Sequence, residues 1–243
     1  MTRQASLGSA TRSDIVLGSA ARPVPASLWT PAERTARALV LVGHGGYGHR
    51  NDNRMTAIAE TLVTRHQSAA LLIDGPVHGG RRTDGGQDPD TVKREWRTYW
   101  HHDPQIDAMV DDWDIALQWA RDTVGELPTG YYGLSMGTLY GLPLLARVPT
   151  IDAALLGMWG TDNLTGPRLL VDAAQVSVPV EFYIRLDDHL FARDGQLELF
   201  AELASETTLL VGENGRHEPP DGQTTTRLLD ALTNELASAK IRS

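Results

Sequence analysis

From residue 38 onward the sequence repeats one pattern: a short run that is apolar at nearly every position, then a longer amphipathic stretch. ALVLV (38–42) is followed by a helical pattern over 53–65, and AALLI (69–73) by one over 107–123. Further apolar runs at 130–134, 153–158, 180–186 and 207–211 alternate with helical patterns at 136–147, 169–174, 194–204 and 224–238. A strand that is apolar on both sides must be covered on both sides, which is the situation of a parallel sheet between two layers of helices. The spacing therefore predicts an α/β fold with a mostly parallel central sheet. Residues 14–20 and 24–28, split by Ala21-Arg22-Pro23, read as an antiparallel entry ribbon, and residues 1–10 as a flexible arm. Residues 11–243 then form a single domain, with the polar, glycine-rich and aromatic stretch 77–104 as a small lid-like insertion.

A chain of 243 residues suffices for one substantial core. Its net charge of -9 argues against a nucleic-acid partner. With no cysteine, a thiol nucleophile, a disulfide and a thiolate metal site are all excluded. The N-terminal segment lacks an apolar signal core, and no run approaches the roughly 18 apolar residues of a membrane span. A cytoplasmic protein with no membrane partner is the expectation.

In an open parallel sheet, ligands bind where the strands end, so the residues just after each strand are the informative ones. YYGLSMG (131–137) places Ser135 directly between a strand and a helix, flanked by Gly133 and Gly137. A serine hydroxyl is a poor nucleophile without a base. On a sharp strand-to-helix turn it stands clear of the backbone, and glycine two residues to either side relieves the crowding. This is the Gly-x-Ser-x-Gly nucleophile elbow.

Two histidines follow it, His189 and His217. His217 lies in a loop beyond the last strand and is the candidate general base. The acid that orients its imidazole should end an intervening strand, where Asp187 and Asp188 both stand. Asp188 is favoured, with Asp187 capping the turn. For an oxyanion, the backbone N–H of Met136 would act with that of Gly46 or Tyr47, from the glycine-rich loop after the first apolar strand. That loop lacks the spacing of a nucleotide-binding motif. His44 within it reads as a structural hydrogen-bonder.

His44-Gly45-Gly46, Gly133-Leu-Ser135-Met-Gly137, Asp188 and His217, in that order and each after a strand, resemble the α/β-hydrolase fold superfamily over roughly residues 12–238. IDGPVHGGRR (73–82) is similar to the Asp-x-Pro-x-His-Gly-x-Arg stretch of its dienelactone-hydrolase-like and prolyl-oligopeptidase-like esterases. The acid loop also resembles theirs, which supports Asp188. Because the nucleophile here is a serine, the resemblance implies a serine esterase without dienelactone chemistry. It implies a small-molecule ester substrate, a Ser-Asp-His triad and no cofactor or metal.

The same triad would serve a thioesterase, peptidase, lactonase or perhydrolase, and a non-catalytic binding protein of the fold is a further alternative. Trp96, Trp100 and Trp159 are candidates for the substrate pocket. Asp111, Asp112 and Asp114 fall near the start of a predicted helix, where negative charge is favourable.

Overall fold

The computed structural model describes residues 2–98 and 102–242. Its strands are β1 (Arg3–Leu7), β2 (Ala10–Ser19), β3 (Arg22–Pro31), β4 (Leu39–Gly43), β5 (Ala69–Ile73), β6 (Thr129–Gly133), β7 (Ala153–Gly157), β8 (Val180–Arg185) and β9 (Thr208–Glu213). Among the described residues they form one sheet in the order β1-β2-β3-β5-β4-β6-β7-β8-β9. β1, β2 and β3 pair antiparallel, and β3 joins β5 antiparallel. From β5 across to β9 all neighbours are parallel. The entry ribbon is thus longer than the sequence suggested and has a third strand. Residues 3–7, expected within a flexible arm, pair along β2 instead. Arg3, Gln4, Ala5 and Ser6 are all exposed, so they show no apolar alternation to read.

The helices are α1 (Asn53–His66), α2 (Pro89–Trp96), α3 (Asp103–Val124), α4 (Met136–Arg147), α5 (Gly166–Ala173), α6 (Arg193–Ala201) and α7 (Gly222–Arg242). Side chains alternate across each parallel strand, and in β4, β5, β6 and β7 both faces are buried. Val40, Val42, Leu72 and Tyr132 face the layer holding Ile58 and Leu62 of α1 and Leu228 and Leu232 of α7. Leu39, Leu41, Leu71 and Tyr131 face the layer holding Trp113 of α3, Leu139 of α4, Leu169 of α5 and Leu199 of α6. No helix among the described residues is long and apolar enough to cross a membrane.

This topology fixes where a site can form. From β4 the chain crosses to β5 on one side, then returns to β6 on the other. Strand order therefore reverses at β4, and a crevice opens beyond the carboxyl ends of β4 and β6. The His44–Gly48 loop follows β4, and Ser135 follows β6.

Among its described residues, the stretch 77–104 holds a 3-10 turn (Gly79–Arg81), α2 and the start of α3. Asp88 starts α2 by accepting the Thr91 N–H at 2.9 Å. Trp96 ends it, only 5% exposed, with Nε1 donating to the Tyr140 hydroxyl of α4 at 3.0 Å. The short helix escaped the sequence reading because its eight residues bury only Val92 and Trp96.

Asp112 also departs from expectation. α3 begins at Asp103, four residues earlier than predicted, so Asp112 lies well inside it. Its carboxylate is 1% exposed and sits 2.8 Å from both the Arg22 and the Arg81 guanidinium groups. The acid ties β3 and the 3-10 turn to α3. Removing it leaves two arginines without their shared partner. Asp112→Ala is expected to lower stability by about 3 kcal/mol, read as a shift in the urea unfolding midpoint at neutral pH.

Candidate active site

Ser135 is held in a backbone conformation that ordinary residues avoid, with φ 58° and ψ −119°. The chain accepts this because the surrounding backbone leaves no other path. The Ser135 N–H donates to Gly157 O at 2.9 Å. Thr138, fully buried, accepts the Gly157 N–H at 2.7 Å and lies 2.6 Å and 2.8 Å from the carbonyls of Gly157 and Gly133. A Cβ on Gly133 would come within 2.7 Å of Gly137 O, and one on Gly137 within 2.9 Å of Gly43 O. Both glycines are therefore steric requirements of the elbow.

The structure brings Ser135, His217 and Asp188 together. Ser135 Oγ is 2.8 Å from His217 Nε2, and His217 Nδ1 is 2.7 Å from Asp188 Oδ2. The other Asp188 oxygen accepts the N–H groups of Leu190 at 2.8 Å and Phe191 at 3.2 Å. Burial works to raise the Asp188 pKa. The hydrogen bonds from His217, Leu190 and Phe191 outweigh it and hold the carboxyl below its usual range. Asp188 is thus an anion at neutral pH, and an anion on Nδ1 fixes the tautomer that leaves Nε2 free to accept a proton. Asp187 points elsewhere and accepts the Gly215 N–H at 3.2 Å.

On the opposite side of Ser135 stands the loop after β4. His44 is buried and occupied at both ring nitrogens: Nδ1 donates to Gly45 O, and Nε2 accepts the Gly75 N–H, each at 2.8 Å. Burial lowers its pKa, in keeping with this neutral tautomer. Gly46 and Tyr47 follow, with Tyr47 52% exposed and Trp96 of α2 packed beside Gly46. Met136 opens α4, so its N–H is among those without an intrahelical acceptor.

Between these groups lies a cavity of about 450 Å³, mostly apolar, reaching from Gly46 and Ser135 to Met55, Tyr132, Met158 and Pro219. Of the tryptophans expected to form the pocket, neither Trp96 nor Trp159 lines it. Trp159 is 3% exposed and donates to Thr165 Oγ1 at 3.3 Å. Its ring meets Trp96 edge-on at 6.2 Å and Phe191 at 4.4 Å, and Phe191 in turn lies 5.5 Å from the His217 ring. Trp96 and Trp159 are wall rather than pocket. A large ring whose N–H has a buried partner is an anchor of the core. Trp100 lies outside the described residues. Met55, Tyr132, Met158 and Pro219, which line the cavity with Gly46, Tyr47, Ser135 and His217, went unread, although Tyr132 gave a signal: strand alternation sends it to the face opposite Tyr131.

No family model matches the chain, and no curated protein does. Among solved structures, a cold-adapted esterase from an Arctic intertidal metagenomic library, in a polyethylene-glycol-bound complex, is 34% identical. The alignment covers 96% of this chain and 97% of that one, with a TM-score of 0.85. The chain belongs to the α/β-hydrolase fold superfamily. Within it, the structural neighbours are esterases and dienelactone hydrolases, the branch that the sequence resembles. Dienelactone hydrolase from Anabaena variabilis, 18% identical, shares the fold at a TM-score of 0.67 over 94% of this chain and 99% of that one. An esterase from Pyrococcus furiosus, 16% identical, does so at 0.67 over 91% and 93%.

His78, in the stretch shared with this branch, is fully buried, with Nδ1 2.6 Å from Pro76 O and Nε2 3.1 Å from Gly46 O. Burial pushes its pKa from 6.5 down to about 3, against the opposing pull of the two carbonyls. Between those two values the unfolded chain binds a proton that the folded protein does not, so stability falls as pH drops through that window. At pH 5 the loss from this one group is about 2 kcal/mol relative to pH 7. His78→Asn is expected to flatten the fall in urea midpoint between pH 7 and pH 5.

Proposed function

We propose that the protein is a serine esterase that acts on small-molecule carboxylic esters through Ser135, His217 and Asp188. The observation that carries this reading is the unbroken relay from Ser135 Oγ through His217 to Asp188 at the mouth of an apolar cavity. The esterase relatives support the class of substrate.

In this reading Ser135 Oγ attacks the ester carbonyl as His217 Nε2 takes its proton. The tetrahedral oxyanion is met by the N–H of Met136 and that of Gly46 or Tyr47, and losing one such donor typically lowers kcat by about 10²–10³. The intermediate collapses as the imidazolium protonates the departing alcohol. This leaves Ser135 acylated. Water then attacks the acyl-enzyme with His217 again as base, and the carboxylic acid leaves as Ser135 regains its proton. Asp188 stabilises the imidazolium in both halves. The relay provides a nucleophile, a base and an acid, so no cofactor or metal enters the scheme.

The decisive measurement is intact mass after treatment with a fluorophosphonate. The expected result is one adduct on the wild type and none on Ser135→Ala or His217→Ala. A folded wild type that takes no adduct, or a Ser135→Ala protein that keeps its esterase activity, defeats the proposal. Substrate length gives a second check. Met55 faces the cavity from the start of α1. Met55→Trp is expected to lower kcat/KM for the p-nitrophenyl ester of a medium-chain acid by about tenfold or more. The acetate ester, which needs little of the cavity, should be turned over nearly as before.

A further inference from the structure

The loop that carries His217 cannot hold itself in place. It spans residues 214–221, between β9 and α7, and contains Pro219 and Pro220. Proline has no N–H, so this stretch is short of the donors that would close a turn of its own. Its carbonyls still need partners. For Asn214, Glu218, Pro219 and Pro220 the donors include arginines outside the loop. Arg185 Nε donates to Glu218 O at 3.0 Å, its NH1 to Asn214 O at 3.0 Å and its NH2 to Pro219 O at 3.1 Å. Arg54 NH1 reaches Pro220 O at 3.0 Å.

Arg185 thus grips the loop both before and after His217. The guanidinium is itself fixed. Its side chain is 12% exposed, pairs with Glu213 at 3.3 Å and lies over the Tyr183 ring, 5.4 Å from its centroid. Tyr183 donates to the same Glu213 carboxylate at 2.8 Å. Arg185 is also the last residue of β8, three positions before Asp188. One side chain therefore joins the strand that delivers the acid to the loop that delivers the base. Further contacts cross the same seam. Gly215 and Asp187 exchange two bonds, Gly215 N–H to Oδ2 and Asp187 N–H to Gly215 O, each at 3.2 Å. His189 Nδ1 accepts the His217 N–H at 3.3 Å and the Arg216 Nε–H at 3.4 Å. These contacts hold Gly215 and His217, whereas the Arg185 fork of three holds Asn214 on one side of His217 and Glu218 and Pro219 on the other.

We infer that Arg185 is a positioning residue for the general base, setting the distance from His217 to Ser135 and Asp188 through its grip on the carbonyls of Asn214, Glu218 and Pro219. Arg185 touches none of the reacting atoms. It acts on turnover because proton transfer requires the imidazole within hydrogen-bond reach of Ser135, and a misplacement of about 1 Å in such a constellation lowers rate by about 10². Arg185 lies outside the cavity lining and reaches it only through the backbone of Pro219, so its effect is expected mainly on turnover rather than on substrate binding. Lysine cannot replace it, because a single ammonium does not reproduce a planar fork with five donors.

This inference rests on the triad reading above, and the test separates the two. Wild type, Arg185→Met, Arg185→Lys and Arg185→Ala are compared in p-nitrophenyl butyrate hydrolysis, rate of fluorophosphonate adduct formation and urea midpoint. Arg227→Met is the control, since Arg227 meets only the outer oxygen of Glu213 at 3.4 Å. The expected result for Arg185→Met is a kcat roughly 10–100-fold lower, with KM within about twofold and adduct formation slowed in parallel. Arg185→Lys should show most of the same loss while keeping the wild-type urea midpoint, which keeps the test decisive if the Met variant does not fold. Millimolar ethylguanidinium should restore part of the kcat of Arg185→Ala, and ethylamine should not. Arg227→Met should behave as wild type.

Arg185→Lys with wild-type kcat overturns the inference, as does a kcat loss in Arg185→Met that merely tracks the unfolded fraction. A wild type that takes no adduct overturns the triad reading itself, and is seen before any Arg185 variant is made.

Discussion

The whole site hangs on how closely the start of α4 can approach the end of β4. Gly137 presses on Gly43 O and Gly133 on Gly137 O, at distances no side chain would permit. That approach forces the positive φ of Ser135, lifts its hydroxyl out of the turn and sets the first amide of α4 beneath it. The strain is sustained by rigid surroundings. α4 is buried along nearly its whole length, and Thr138 binds the ends of both β6 and β7. A conformation costing on the order of 1–3 kcal/mol persists only where its neighbours over-determine it.

Asp188 and His217 face a different problem. They come from the ends of β8 and β9, and their loops have little regular structure. Here the polar network replaces packing: the carboxylate is fixed by two backbone N–H groups, and the imidazole loop by arginine donors and His189. The site therefore has a stiff half, built from glycine contacts and a buried helix, and a half held by hydrogen bonds. Phe191 spans the two, packing on Trp159 and on the His217 ring.

Much of this was legible in the sequence, because the parallel strands are apolar on both faces and the informative residues follow them directly. Val40 and Leu41 announce β4, and the helix 136–147 follows from its own pattern. The order Ser135, Asp188, His217 marked the side chains that meet. What stayed hidden lacks a local signature. Arg3 to Ser6 of β1 are exposed, and α2 buries too few side chains to show a period. Trp96 and Trp159 looked like pocket residues because composition cannot tell a ring lining a cavity from one walled in by its neighbours. The partners of Asp112 and the role of Arg185 are long-range facts: each arginine joins segments that only the fold brings together.

The position of β9 has a consequence for how the protein ages under heat. β9 is the edge strand of the parallel part of the sheet, paired among the described residues with β8 alone, and Leu209 and Leu210 on it are exposed. Edge elements with few buried contacts open at lower free energy than the centre of a sheet. Ser135 leads into the most deeply covered helix, whereas His217 follows the least covered parallel strand. Fraying at that edge would dismantle the relay while β4, β5 and β6 stay intact. Loss of turnover on warming would then precede loss of ellipticity, and would reverse on cooling so long as the centre of the sheet had not yielded.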